Sequence, residues 1–132
     1  MIFICFLNVN SQTPPLNIQQ LAHVPNSSLM VPSDLSDIWG WVDSAGNEYA
    51  IVGTNDGTSI FDLSDPTNPQ EVLFVPGMNS IWRDIKTYGH YAYVTTEAYN
   101  GLLIIDLSNL PDSTNTNTYI CLLYTSDAAD ED

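Results

Sequence analysis

The sequence has almost no positive charge. Arg83 and Lys86 are the two basic residues, against 16 acidic ones, and the formal net charge is −14 at pH 7. Nucleic-acid binding requires many Lys and Arg side chains to neutralise phosphates, and anionic membrane surfaces attract the same side chains. We therefore expect neither a nucleic-acid ligand nor an anionic membrane partner. Charged residues make up only 14% of the chain, which suits a secreted β protein better than a cytosolic helical one.

Long apolar runs and cysteines are also scarce. The longest uninterrupted apolar run, residues 1–7, is far shorter than the roughly 20 residues of a membrane-spanning helix. We interpret residues 1–11 as the remnant of a secretory signal peptide that lacks its basic start; the alternative is a buried N-terminal strand. We expect no disulfide, because Cys5 lies in this predicted signal and Cys121 in a tail that looks foreign to the protein.

Motifs for catalysis and for zinc are missing as well. The chain contains no Gly-x-Ser-x-Gly nucleophile motif. Its two histidines, His23 and His90, have no partners at zinc-ligand spacing. The sequence therefore predicts a protein without enzymatic activity.

The chain does contain an internal sequence repeat. Asp37-Ile38, residues 49–52, Gly57 and residues 61–64 recur in the same order as Asp84-Ile85, residues 91–94, Gly101 and residues 105–108, at offsets of 47, 42, 44 and 44 residues. A period in the forties is typical of arrays of small β units, above all of propeller blades. One such unit cannot bury its apolar face alone and needs neighbours.

Short apolar runs separated by turn residues predict the strands of these units. The first copy predicts strands at residues 38–42, 49–53, 59–63 and 71–75, and the second at residues 81–88, 91–96 and 102–107, with its fourth strand cut off after residue 112. Residues 16–24 are predicted to form a strand, and the match of residues 19–25 to residues 70–76 predicts that it is the outer strand of a further blade. The predicted fold is all-β: antiparallel four-stranded blades of an incomplete β-propeller over residues 16–112, about one full blade plus two partial ones.

Residues 121–132 match nothing in the repeat. They resemble the conceptual translation of a sequencing adapter, and we predict that they form a non-native tail. The alternative is a genuine acidic C-terminus.

Parts of the chain resemble two known protein families. Residues 58–69 and 102–108 resemble the LVIVD repeat, a β-propeller blade motif. Residues 36–43, 48–53 and 82–86 resemble more particularly the choice-of-anchor B family, whose members are secreted bacterial proteins with C-terminal surface-sorting signals. The resemblance implies a propeller placed outside the cell, at the cell surface, and it implies no reaction.

The candidate ligand-binding residues are Trp39, Trp41, Trp82, Arg83 and Asp84. Trp and Arg are the commonest anchors of binding sites, and Trp39 and Trp82 lie near the start of each blade's first strand, which lines a propeller channel. The alternative is packing between blades, with Arg83 paired to Asp84 or to another acid.

Several aspartates lie near strand ends. Calcium favours clustered carboxylates, and Asp34 with Asp37 is the best candidate pair for it; no other cofactor is expected. The alternative is that aspartates cap turns. For Asp62 and Asp106, which occupy matched positions inside apolar strands, we predict the structural task of accepting hydrogen bonds from backbone or hydroxyl donors between strands.

These observations predict a secreted or cell-surface propeller that acts as a binding or scaffold module for an extracellular protein or carbohydrate. One alternative is an extracellular hydrolase or lyase whose catalytic residues lie in further blades. Another is a stalk with a purely structural role.

Overall fold

The computed structural model describes residues 19–98 and 101–121. These residues form two antiparallel four-stranded sheets, each with its strands in chain order. The first sheet contains β1 (Leu35–Val42), β2 (Glu48–Thr54), β3 (Gly57–Asp62) and β4 (Gln70–Pro76); the second contains β5 (Arg83–Tyr88), β6 (Tyr91–Thr96), β7 (Leu102–Asp106) and β8 (Thr118–Cys121). Short 3-10 turns lie at Asn26–Ser28 and Ser113–Asn115. The predicted all-β class with blade-like sheets is confirmed, and the described ranges contain no helix able to span a bilayer.

The turns of the first sheet follow from their residues. Asp43 closes the β1–β2 turn, because its carboxylate accepts the backbone N–H groups of Ala45 and Asn47 at 2.8 and 2.9 Å. Only two residues, Asn55 and Asp56, join β2 to β3, as hairpin turns of this composition predict. Gly57 starts β3 where β4 passes so closely that a Cβ atom would collide with the Val75 carbonyl oxygen.

The second sheet has four strands, one more than the three that the sequence located in the second copy. Residues 113–115 turn the chain back, with the Asp112 carboxylate accepting the Thr114 backbone N–H at 3.0 Å. The chain then pairs with β7 as β8, from Ile105 opposite Thr118 to Leu102 opposite Cys121. Of the predicted foreign tail only Cys121 is described, and residues 122–132, like the predicted signal at residues 1–11, lie outside the described residues.

The predicted N-terminal strand is also corrected. Residues 19–25 have no strand structure, and residues 16–18 lie outside the described residues. An outer strand needs the third strand of its own blade as a partner, and the described residues offer none. Val24 instead packs on the face of the first sheet, against the cluster of Leu29, Val52 and Phe61.

The main core lies between the two sheets, where β1 and β2 meet β5. Its buried members come from both sheets: Tyr49, Ile51, Ile60, Val75, Ile85, Ala92, Val94, Ile105, Leu107 and Leu110. Trp39 and Trp41 pack against this cluster from β1. The two units therefore bury each other's apolar faces, as the repeat predicts.

Candidate functional site

Alternate residues of β1 reach across to β5. The Asp37 carboxylate accepts the Ile85 backbone N–H at 3.0 Å. The Trp39 indole N–H donates to the Thr87 hydroxyl at 2.9 Å, and the Trp41 indole N–H donates to the Gly89 carbonyl at 2.9 Å. We call this contact of Asp37, Trp39 and Trp41 with β5 the seam. Two of the candidate ligand anchors, Trp39 and Trp41, thus have their indole N–H groups engaged in joining the sheets.

Lys86 lies beside the seam. Its ammonium is 4.2 Å from the centroid of the Trp39 ring and 3.1 Å from an Asp84 carboxylate oxygen. Both members of the Lys86–Asp84 ion pair are exposed, so the pair contributes little to stability. The hydrogen bond and the positive charge of Lys86 lower the pKa of Asp84, and the Asp37 carboxyl lies close enough to share a hydrogen bond with Asp84 when one of the two is protonated. The Asp37 and Asp84 carboxylates are therefore neighbours.

Arg83 is buried, with 4% of its surface exposed. Its Nε donates to the Thr54 carbonyl at 2.9 Å and its Nη2 to the Met78 carbonyl at 2.8 Å. Burial lowers the pKa of Arg83, and the charge of Asp56 partly opposes this shift. Arg83 therefore bonds to the backbone of the first sheet and its outgoing loop, and not to Asp84 as the packing alternative had it.

Trp82, the residue before Arg83, is directed to solvent, and 61% of its surface is exposed. Ser80 holds its backbone: the Ser80 hydroxyl donates to the Trp82 carbonyl at 2.8 Å and accepts the Trp82 N–H at 3.2 Å. Trp82 borders a cleft of about 680 Å³ at the start of β1 and β5. The cleft is lined by Leu35, Ser36, Asp37, Ile81, Trp82, Arg83, Asp84, Thr95, Thr96 and Glu97.

The ionisable side chains of the cleft lining are mostly acidic. Asp37, Asp84 and Glu97 supply carboxylates, and the one basic residue of the lining, Arg83, is engaged by backbone carbonyls. An exposed indole next to carboxylates can bind a cation through the ring face and through charge. Of the five predicted ligand anchors, the structure brings Trp82, Arg83 and Asp84 into this cleft and places Trp39 and Trp41 in the seam.

The sequence did not predict three of the residues that line the cleft, Thr95, Thr96 and Glu97. The two threonines could have been predicted from the hairpin between β5 and β6. Counting outward from the Gly89-His90 turn places residue 95 opposite residue 84, and the register of the two strands confirms this pairing. Glu97 follows the end of β6, where no pairing rule positions it.

The candidate calcium residues are not brought into one site. Asp37 lines the cleft, whereas Asp34 lines a separate polar depression with Asp56 and Asn79. Asp56 is itself held by the Ser33 hydroxyl at 2.8 Å and the Asn79 amide at 2.9 Å. Across residues 19–98 and 101–121, no group of three or more His, Cys, Asp or Glu side chains has the arrangement of a metal site.

Asp62 and Asp106 accept backbone and hydroxyl donors as predicted, but the donors are local and do not lie on another strand. Each accepts the backbone N–H and the hydroxyl of the serine two residues later: at 2.8 and 2.5 Å from Ser64, and at 3.0 and 2.6 Å from Ser108. These bonds from Ser108 lower the pKa of Asp106. His90 lies 4.0 Å from Asp106, but the Ser108 hydroxyl donates to the aspartate and not to the histidine, which a catalytic triad would require.

Comparison with known families agrees with the repeat. The family model described as the LVIVD repeat matches residues 44–75 and 81–118, together more than half of the chain. The first match covers β2, β3 and most of β4, and the second runs from before β5 to the first residue of β8. A search of curated proteins and a search of solved structures each found no significant match.

Proposed function

Because the chain belongs to the LVIVD repeat family, whose repeats are of the propeller type, we propose that it is an extracellular binding module and not an enzyme. The proposed ligand is a basic segment of another protein, and the proposed binding site is the cleft that Trp82 borders. The observation that carries the proposal is an exposed indole beside three carboxylates, with no free basic side chain in the lining.

Exposure of Trp82 supports a binding role. A large aromatic side chain directed to solvent at the mouth of a cleft is a typical anchor for a partner. The Ser80 hydrogen bonds fix the backbone that carries it, so little ordering is needed when a ligand arrives.

Charge supports a basic ligand. The excess of acidic over basic residues gives the protein a negative field that attracts cations and accelerates their encounter. Within the cleft, Asp37 and Asp84 lie side by side and Glu97 follows β6. A Lys or Arg side chain that enters the cleft can contact a carboxylate and the Trp82 ring together.

Calorimetric titration with Lys- and Arg-containing peptides, with neutral oligosaccharides as the second ligand set, tests the proposal. We expect peptide binding that weakens as salt is raised and that weakens about tenfold or more in Trp82→Ala. Glu97→Gln should reduce the salt dependence. Tyr119→Ala, which removes an exposed aromatic side chain on β8, is the matched control and should bind as the wild type does. Salt-independent binding of oligosaccharides alone would assign the cleft to carbohydrate, and binding of neither class would refute the proposal.

The extracellular location rests on the choice-of-anchor B resemblance of the Asp37-Ile38-Trp39-Gly40-Trp41 run and of residues 82–86. We propose that the protein is exposed at a bacterial cell surface. Protease treatment of intact cells that express an epitope-tagged form should digest the tag, and full protection of the tag until the cells are lysed would contradict this location.

A further inference from the structure

Two isoleucines at equivalent positions of the repeat differ completely in burial. Ile38 and Ile85 each follow an aspartate, and each pairs with a valine of the next strand, Val52 and Val94. Ile85 is fully buried against the first sheet, whereas 64% of the Ile38 surface is exposed. The preceding aspartate and the valine partner on the next strand are the same at the two positions. The difference therefore comes from what covers each sheet.

The exposed Ile38 belongs to a wider apolar surface. We call the surface formed by Leu35, Ile38, Val42, Ala50, Val52 and Phe61 the outer face of the first sheet. Leu35 and Val42 are exposed on it, like Ile38, and an apolar hollow of about 180 Å³ opens between β1 and the segment that carries Val24 and Leu29. The equivalent face of the second sheet, with Ile85, Ala92, Val94 and Ile105, is entirely buried in the core.

The second sheet also has a free face, and it is equivalent to the seam side of β1. Alternation along β5 directs Ile85 and Thr87 toward the first sheet and leaves Asp84, Lys86 and Tyr88 exposed. By the repeat offset these three residues correspond to Asp37, Trp39 and Trp41, which make the seam. Tyr88 is 81% exposed. We call Asp84, Lys86 and Tyr88 the free edge of β5.

We propose that the free edge of β5 in one copy of this chain docks on the outer face of the first sheet in a second copy. The contact repeats the seam between molecules. The Asp84 carboxylate accepts the Ile38 backbone N–H of the second copy, as Asp37 accepts that of Ile85, and Tyr88 packs where Trp41 packs. Because the two surfaces differ, the association is head to tail, and a dimer keeps one unused surface of each kind, to which further copies can bind.

Sedimentation velocity and light scattering on the full chain test this docking. The wild type should form reversible oligomers whose mass rises with protein concentration. Salt should strengthen the association, since it screens the repulsion between copies that each carry a net charge of −14. Ile38→Glu and Tyr88→Glu should each shift the midpoint of association to at least tenfold higher concentration. Met78→Glu is the matched control, because Met78 is 51% exposed and belongs to neither surface, and it should associate as the wild type does.

Mixing the two variants gives the sharpest result. Ile38→Glu keeps an intact free edge and Tyr88→Glu an intact outer face, so an equimolar mixture should form a heterodimer that grows no further. The heterodimer also shows that both variants fold. A wild type that stays monomeric at all concentrations, or a mixture that stays monomeric, overturns the proposal. It is equally overturned if Tyr88→Glu dimerises alone, which would indicate contact between two outer faces, or if Met78→Glu disrupts assembly as strongly as Ile38→Glu.

Discussion

Truncation of Ile85 to alanine should lower the free energy of unfolding much more than truncation of Ile38 does. Each substitution removes three carbon atoms, worth about 2.4 kcal/mol of transfer free energy if the side chain is fully buried. Ile85 is fully buried between the sheets, and the cavity left behind adds to the cost, so Ile85→Ala should lower the free energy of unfolding by about 3–5 kcal/mol. Ile38 has about a third of its surface covered, so Ile38→Ala should cost about 0.9 kcal/mol or less.

Equilibrium unfolding in urea, followed by indole fluorescence, measures both values. Trp39 and Trp41 lie in the seam, so their emission reports separation of the sheets as well as loss of each sheet. The protein concentration must be low enough that the chain is monomeric, because association would add a cost to Ile38→Ala that has nothing to do with folding.

The pair of variants is its own control, since residue type, neighbouring aspartate and strand position are shared. Equal losses of stability for the two variants would show that packing between the sheets does not hold the fold. A loss below about 1 kcal/mol for Ile85→Ala would lead to the same conclusion.

Two further predictions concern polar groups. Arg83→Lys should lower the free energy of unfolding by about 1.5–3 kcal/mol, because a single ammonium cannot reproduce both guanidinium bonds to the Thr54 and Met78 carbonyls; urea unfolding within 0.5 kcal/mol of the wild type would contradict this role. Asp106 has a lowered pKa in the folded protein because it accepts the Ser108 bonds, so its stabilising contribution is complete above the unfolded-state pKa of about 3.9 and is lost as the pH falls through the folded value. The difference in unfolding free energy between the wild type and Asp106→Asn should therefore shrink between pH 5 and pH 2, and a difference that grows on acidification would refute the assignment.

Much of the fold was predictable because each strand is defined by local pattern. Alternating apolar residues and turn residues located seven of the eight strands, most of them to within one or two residues. The exceptions have specific causes. β1 begins three residues early, because an irregularity in its pairing between Leu35 and Ile38 hides the alternation. β8 was missed because it is short and exposed, and it continues into a segment with no likeness to the repeat.

The candidate site was predictable only in part. The sequence grouped Trp82 and Arg83 with Trp39 and Trp41 as one aromatic and basic cluster. Neighbouring residues at the start of β5 have opposite environments, so Arg83 is buried among backbone carbonyls while Trp82 is exposed at the cleft. The two β1 tryptophans became part of the seam, because a second sheet covers their face. Of the five candidate ligand-binding residues, Trp82 and Asp84 are the two that remain available to a ligand.

The sequence by itself determined the repeat, the strands and the turn chemistry, because these depend on hydrogen bonds and backbone preferences within a few residues. It also determined the net charge of −14. Only the tertiary structure decided which face of each strand is covered, because that depends on which sheet lies next to it. Ile38 and Ile85 show this most directly: an isoleucine that follows an aspartate and pairs with a valine is exposed in one sheet and buried in the other.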